Sequence, residues 1–112
     1  MASIDPGKLV SDIKVAASGI IGEDVTVIRG FAEQQLRAIA QQTEFVAEGI
    51  ADGSIGDDTR DFFLDSLVEM ARSFANTLAG LVSVTIEKVW NAVVGVIWTA
   101  INAATGLGLA IP

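Results

Sequence analysis

The sequence predicts an all-α protein, a long antiparallel helical hairpin that packs in a multi-subunit helical assembly. Three observations lead to this prediction. Apolar residues recur every three or four positions along two long stretches, which is the spacing of one face of an α-helix. A single segment rich in Gly and Asp, ADGSIGDD, separates the two stretches. Residues 89–112 contain no charged side chain, so the second stretch ends in a segment that must be kept from water.

The first predicted helix covers residues 6–51. Asp5 is a good N-cap, and Pro6 suits the first helical position, where its missing N–H is not needed. Gly19 and Gly22 each weaken a helix by about 1 kcal/mol relative to alanine. The apolar stripe keeps its phase through these glycines, so we expect a kink or a short break near residues 19–24, in one bent helix or two collinear pieces.

The segment at residues 52–57 is predicted to be a turn. Gly53 suits the end of the first helix, and Asp57 or Asp58 suits the start of the second. The stretch superficially resembles a calcium-binding loop. With Gly53 at the sixth loop position, however, the twelfth position is Thr59 instead of a bidentate glutamate. We therefore expect an ordinary turn.

The second predicted helix covers residues 58–105 and is followed by a short tail, residues 106–112. At 100° per residue, one polar stripe follows its whole length. The stripe comprises Glu69, Ser73, Asn76, Glu87, Asn91 and Asn102. Two arms of similar length around one turn make a single hairpin domain, residues 1–112, in which each arm of ~45 residues is about 70 Å long. Most of the acidic residues fall at the turn end, near residues 44–69.

The uncharged half of the second helix is the predicted contact surface for copies of the chain or for a membrane. Its helix is apolar around most of its circumference, so one partner arm cannot cover it. Its length also exceeds the ~20 apolar residues that cross a bilayer. The predicted membrane or subunit interface comprises Val89, Trp90, Val93, Val94, Val96, Ile97, Trp98 and Ile101. Of the adjacent Phe62 and Phe63, which face different ways, we expect one to be core and the other an intersubunit contact.

No catalytic or cofactor-binding constellation is found in the sequence. The chain has no His and no Cys, which excludes imidazole and thiolate metal sites and catalysts built on a His base. Phosphate-binding glycine motifs are also missing. Asp61, Asp65 and Glu69 share one helix face, and an exposed acidic first turn that matches the helix dipole explains them. We expect no enzyme activity, no cofactor and no bound metal.

The charge balance argues against nucleic acid as a partner. The formal net charge is −7, and the seven Lys and Arg residues are scattered along the chain. The N-terminal stretch also lacks the basic start and apolar run of a cleaved secretion signal. We expect the protein to be membrane-associated or part of a large assembly.

The sequence therefore favours a non-enzymatic, self-assembling structural protein. Its uncharged C-terminal half would pack in an oligomer and contact or enter a lipid bilayer. One alternative is a fully soluble structural subunit of a filament, shell or virion-like particle. A second is a small adaptor that binds another helix, and a third arrangement is a simple monomeric bundle.

Overall fold

Four α-helices form an up-and-down antiparallel bundle in the computed structural model, which describes residues 4–31 and 33–112. No strand occurs in these residues, so the predicted all-α class is confirmed. Residue 32, inside the first predicted helix, lies outside the described residues. The helices are α1 (Pro6–Ile21), α2 (Glu33–Asp52), α3 (Asp57–Leu81) and α4 (Ile86–Thr105), with one 3₁₀ turn at Val25–Val27.

The prediction of two long continuous helices is wrong, because each predicted arm is divided in two. The longest dimension of the molecule is 41 Å, well short of the about 70 Å of an unbroken arm. Helix α1 packs on α2 and α4, α3 packs on the same two helices, and α2 and α4 also contact each other across the bundle. The two halves of each arm therefore fold back and bury one another.

The first break is a full interruption after which α2 packs back on α1, whereas the sequence predicted a kink or a short break without such a reversal. Helix α1 ends at Gly22, which has φ 80° and whose N–H bonds to the Ser18 carbonyl. Left-handed backbone of this kind favours glycine, which has no Cβ to clash. The Ser18 hydroxyl then accepts a hydrogen bond from the Val25 N–H at 2.9 Å, and Val25 is fully buried. These contacts hold residues 22–31 against the end of the bundle.

The second break separates α3 from α4 and was not predicted. Val82 is extended at φ −137° and ψ 158°, and α4 begins after Thr85. The sequence between the helices, Val-Ser-Val-Thr, combines three β-branched residues with a serine. Such residues lower helix propensity by only a few tenths of a kcal/mol each. The break is favourable because it lets α4 turn back and bury its apolar faces.

The turn between α2 and α3 is confirmed at the predicted place. Gly53 has φ 84°, and the Ile55 N–H bonds to the Gly49 carbonyl at 2.8 Å. The buried Ile55 side chain folds onto Gly49. The N-cap of α3 is Gly56 and not Asp57 or Asp58, which instead lie in the first helical turn. At the other end of the chain, the predicted N-cap is confirmed: the Asp5 carboxylate accepts hydrogen bonds from the N–H groups at the start of α1.

Helix α4 contributes much of the core, and the other three helices all pack against it. Six residues of the predicted membrane or subunit interface are buried within the single chain: Val89, Val93, Val94, Ile97, Trp98 and Ile101. Trp90 and Val96 are partly buried against the same core. The reasoning that only copies or lipid could cover this helix assumed one partner arm. The breaks supply three covering helices in the same chain.

The predicted polar stripe is divided between two helices. Glu69, Ser73 and Asn76 are exposed on α3, and Glu87 and Asn91 are exposed on α4. Because a non-helical link separates α3 from α4, the angular positions calculated for one continuous helix do not place these residues on one face.

Two members of the stripe make specific contacts. Glu87 forms an ion pair with Arg72 of α3. The Asn102 side chain donates to the Leu109 carbonyl at 3.0 Å and accepts from the Leu109 N–H at 2.7 Å, which holds the tail against the bundle.

Within residues 4–31 and 33–112, no helix combines enough length with enough apolar character to cross a bilayer.

Gly49 provides a test of the α2–α3 turn. An added Cβ at this position would lie 2.5 Å from Ile55 Cδ1. We expect Gly49→Ala to lower the free energy of unfolding by about 1 kcal/mol, because overpacking costs about 1–3 kcal/mol and the gain in helix propensity offsets part of it. Chemical denaturation measures the change. Gly80→Ala is the matched control, because its added Cβ meets nothing within 4 Å and we expect a gain of about 0.4–1 kcal/mol. Equal gains at both positions would contradict this packing.

Ile97 tests whether α4 is covered by its own chain. We expect Ile97→Ala to lower the free energy of unfolding by about 2–5 kcal/mol, as for a large side chain removed from a packed core. Thr99→Ala, at an exposed site on the same helix, should change it by less than about 0.5 kcal/mol. Thermal unfolding at several protein concentrations checks the result. A midpoint that depends on concentration would place Ile97 in an interface between chains.

Candidate interaction surface

Three phenylalanines form a contiguous, largely exposed cluster on α2 and α3. The Phe63 ring lies 6.0 Å from that of Phe45 and 5.4 Å from that of Phe62, between ring centroids. Phe45 is 56% exposed and Phe62 is 73% exposed, whereas Phe63 packs partly against the core. These three residues are called the aromatic surface below. Single exposed apolar residues are normal in soluble proteins, but adjoining ones mark contact sites.

Helical geometry explains why the rings are outside. Phe45 lies about 180° from the buried Leu36 around α2, so it faces away from the core. Phe63 lies on the side of α3 that turns toward α2 and meets Phe45. Phe62 is its neighbour in sequence and is rotated by about 100°, which directs it to solvent. The sequence therefore predicted correctly that Phe62 and Phe63 face different ways, but it did not identify Phe45.

Carboxylates surround the aromatic surface. On α3, Asp58 lies four residues before Phe62, Asp65 three after it and Glu69 seven after it. This spacing places all three on the same side of the helix as Phe62, on neighbouring turns. Glu48 stands three residues after Phe45 on α2. All four are exposed. They are called the acidic rim below.

Acidic residues are frequent near the α2–α3 turn. Among the residues that the structure describes, no group of three or more potential ligand side chains converges. Asp52 is occupied by the turn itself, since it accepts hydrogen bonds from the Ser54 hydroxyl at 2.7 Å and the Ser54 N–H at 2.8 Å. These bonds, with the hydroxyl contributing most, lower the pKa of the Asp52 carboxyl below its ordinary value.

A second feature is a groove of ≈ 380 Å³ between α1 and α2. Lys14 and Arg37 line it, and both pair with Glu33. The Arg37 Nη2 atom lies 3.0 Å from Glu33 Oε2. The hydrogen bond and charge of Lys14, with a smaller contribution from Arg37, hold the pKa of Glu33 below its ordinary value. Both cations already bind the Glu33 carboxylate, and the three side chains together carry a net charge of +1. The contacts serve to join the two helices.

Trp90, predicted as an interface residue, packs against α3 within the same chain. Its indole N–H donates to the Val68 carbonyl at 3.4 Å, and the Arg72 guanidinium lies 4.7 Å from the ring centroid. A cation over an aromatic face is attracted to it. Trp90 and Arg72 therefore fasten α4 to α3.

Comparison with known proteins adds no family to these observations: no family model, curated protein or solved structure matches the chain.

Proposed function

We propose that this protein is a small non-enzymatic adaptor that binds a helix of another protein on its aromatic surface. The observation that carries the proposal is the exposure of Phe62, 73%, in contact with a ring that is itself anchored in the bundle. Burying an exposed phenylalanine on association releases about 25 cal/mol for each Å² of apolar area covered. Aromatic anchors at the centre of a contact commonly supply most of its binding energy.

A helix is the partner shape that this surface favours. Helices α2 and α3 pack side by side and carry the exposed Phe45 and Phe62. A third helix packs across two such helices by placing apolar residues at intervals of three, four and seven against the rings. The two helices and the short turn between them hold the rings in place before any partner arrives.

Self-assembly into a structural subunit is the second candidate, and other exposed apolar residues favour it. Val15 on α1 is 72% exposed, Val27 between α1 and α2 is 70% exposed, and Ile111 in the tail is 57% exposed. None of them belongs to the aromatic surface. Separate apolar sites on one chain are what a repeating, head-to-tail contact between copies requires.

The adaptor proposal predicts that Phe62 controls binding. The probe is an uncharged amphipathic peptide with leucines spaced as one helix face and Gln and Ser elsewhere, followed by fluorescence anisotropy. We expect Phe62→Ser to weaken binding at least about tenfold, because an aromatic anchor is worth about 2 kcal/mol or more. Val15→Ser is the matched control, an exposed apolar residue on another helix. Equal binding by wild type and both variants, or no binding by any of them, would refute the adaptor.

The self-assembly candidate predicts a different pattern. We expect the sedimentation coefficient of the wild type to rise with protein concentration, and the double variant Val15→Ser/Val27→Ser to sediment as one chain at every concentration, because exposed apolar contacts drive such association. Phe62→Ser should leave this behaviour unchanged. A wild type that stays monomeric throughout would reject the structural-subunit candidate.

A further inference from the structure

The acidic charge of the chain is concentrated beside the aromatic surface. Residues 38–71 contain eight of the fourteen carboxylates and one of the seven cations, a balance of −7. The remaining six carboxylates and six cations cancel. The whole net charge of the protein therefore belongs to the segment that carries Phe45, Phe62 and Phe63.

Few of the negative charges in this segment are paired with a positive charge of the same segment. Its single cation, Arg60, pairs with Asp57 at 3.5 Å. The acidic rim residues are exposed and lie at helical spacing from the phenylalanines. An apolar centre bordered by charge of one sign is the usual arrangement of a protein contact, with a polar rim around an apolar core.

We infer that the aromatic surface binds a cationic amphipathic helix, whose apolar face covers the rings and whose Lys or Arg residues meet the acidic rim. The inference rests on the proposed function and specifies its partner. Opposite charges at a rim increase the rate of encounter and suppress partners of the wrong charge. Carboxylates on both α2 and α3 accept cations on either edge of the bound helix.

The spacing of the rim specifies the partner further. Asp58, Asp65 and Glu69 lie seven and then four residues apart on α3, which corresponds to about 10 Å and 6 Å along the helix. A partner helix lying along α3 matches them with cations at the same intervals on one edge of its apolar face. The other edge faces Glu48 on α2.

Two other occupants fit this surface less well. A second copy docking by the same face would bring two acidic rims together, and like charges repel. A bilayer with anionic lipids repels the rim for the same reason. Both are included below as outcomes.

The test compares three synthetic helices that share one leucine face. In the first, lysines flank the leucines at the intervals of the rim. The second has the same composition, with its lysines on the opposite face. The third has glutamates in place of the flanking lysines. We expect the first peptide to bind most tightly and to lose affinity as salt rises from about 0.05 M to about 0.5 M, because the screening length shortens across this range.

Charge-removing variants locate the effect on the chain. We expect Asp65→Asn/Glu69→Gln to weaken the first peptide about three- to tenfold at low salt, as for two exposed charge pairs. The matched control, Asp12→Asn/Glu23→Gln, removes the same charge from the α1 side and should change binding less than twofold.

The outcomes separate this inference from the adaptor function. Equal binding of all three peptides, abolished by Phe62→Ser, would overturn the cationic partner and leave the adaptor intact. Binding of the lysine peptides that survives Phe62→Ser would be adsorption by charge alone and would overturn both. If the protein floats with phosphatidylcholine or phosphatidylcholine–phosphatidylserine vesicles and this depends on Phe62, the partner is lipid and not a helix. If self-association in sedimentation depends on Phe62, the partner is a second copy of the chain.

Discussion

The burial of α4 by the other three helices is the constraint on which the rest of the structure depends. This helix is apolar around most of its circumference, and burial of its apolar side chains is favourable. Two interruptions, at residues 22–31 and 82–85, solve the problem within one chain. They convert two long arms into four short helices, so that α1, α2 and α3 each pack against α4 and bury its apolar residues. The resulting bundle has a radius of gyration of 13.8 Å, close to the about 13 Å expected for a globular domain of this length.

Periodicity was sufficient to predict the helical class, the N-cap at Asp5, the turn near Gly53 and the end of the last helix. It failed at the link from Val82 to Thr85, because three β-branched residues disfavour a helix only weakly and no Gly or Pro marks the site. The decisive energy there comes from burial of residues far away in sequence, which a local pattern does not contain. The argument that only copies or lipid could cover the last helix depended on that missed break, and assembly itself stays a prediction.

The sequence identified only part of the aromatic surface, for a related reason. The pair Phe62 and Phe63 stands out because adjacent residues on a helix cannot share one face. Phe45 becomes significant only when α2 is placed beside α3, so that rings far apart in the chain meet. A signal existed, since Phe45 lies opposite the apolar stripe of its own helix. The charge asymmetry, in contrast, is a property of composition, and the sequence located it correctly at the turn end.

The closure of the α2–α3 turn by Ile55 and Gly49 has a consequence for recognition. The turn fixes the mutual orientation of the two helices within two turns of Phe45 and Phe62, so the rings are preorganised on rigid backbone. A binding site of this kind loses little conformational entropy when it is occupied. The cost of ordering then falls on the incoming segment, and a segment that is already helical when free would bind faster and more tightly than one that must fold on contact.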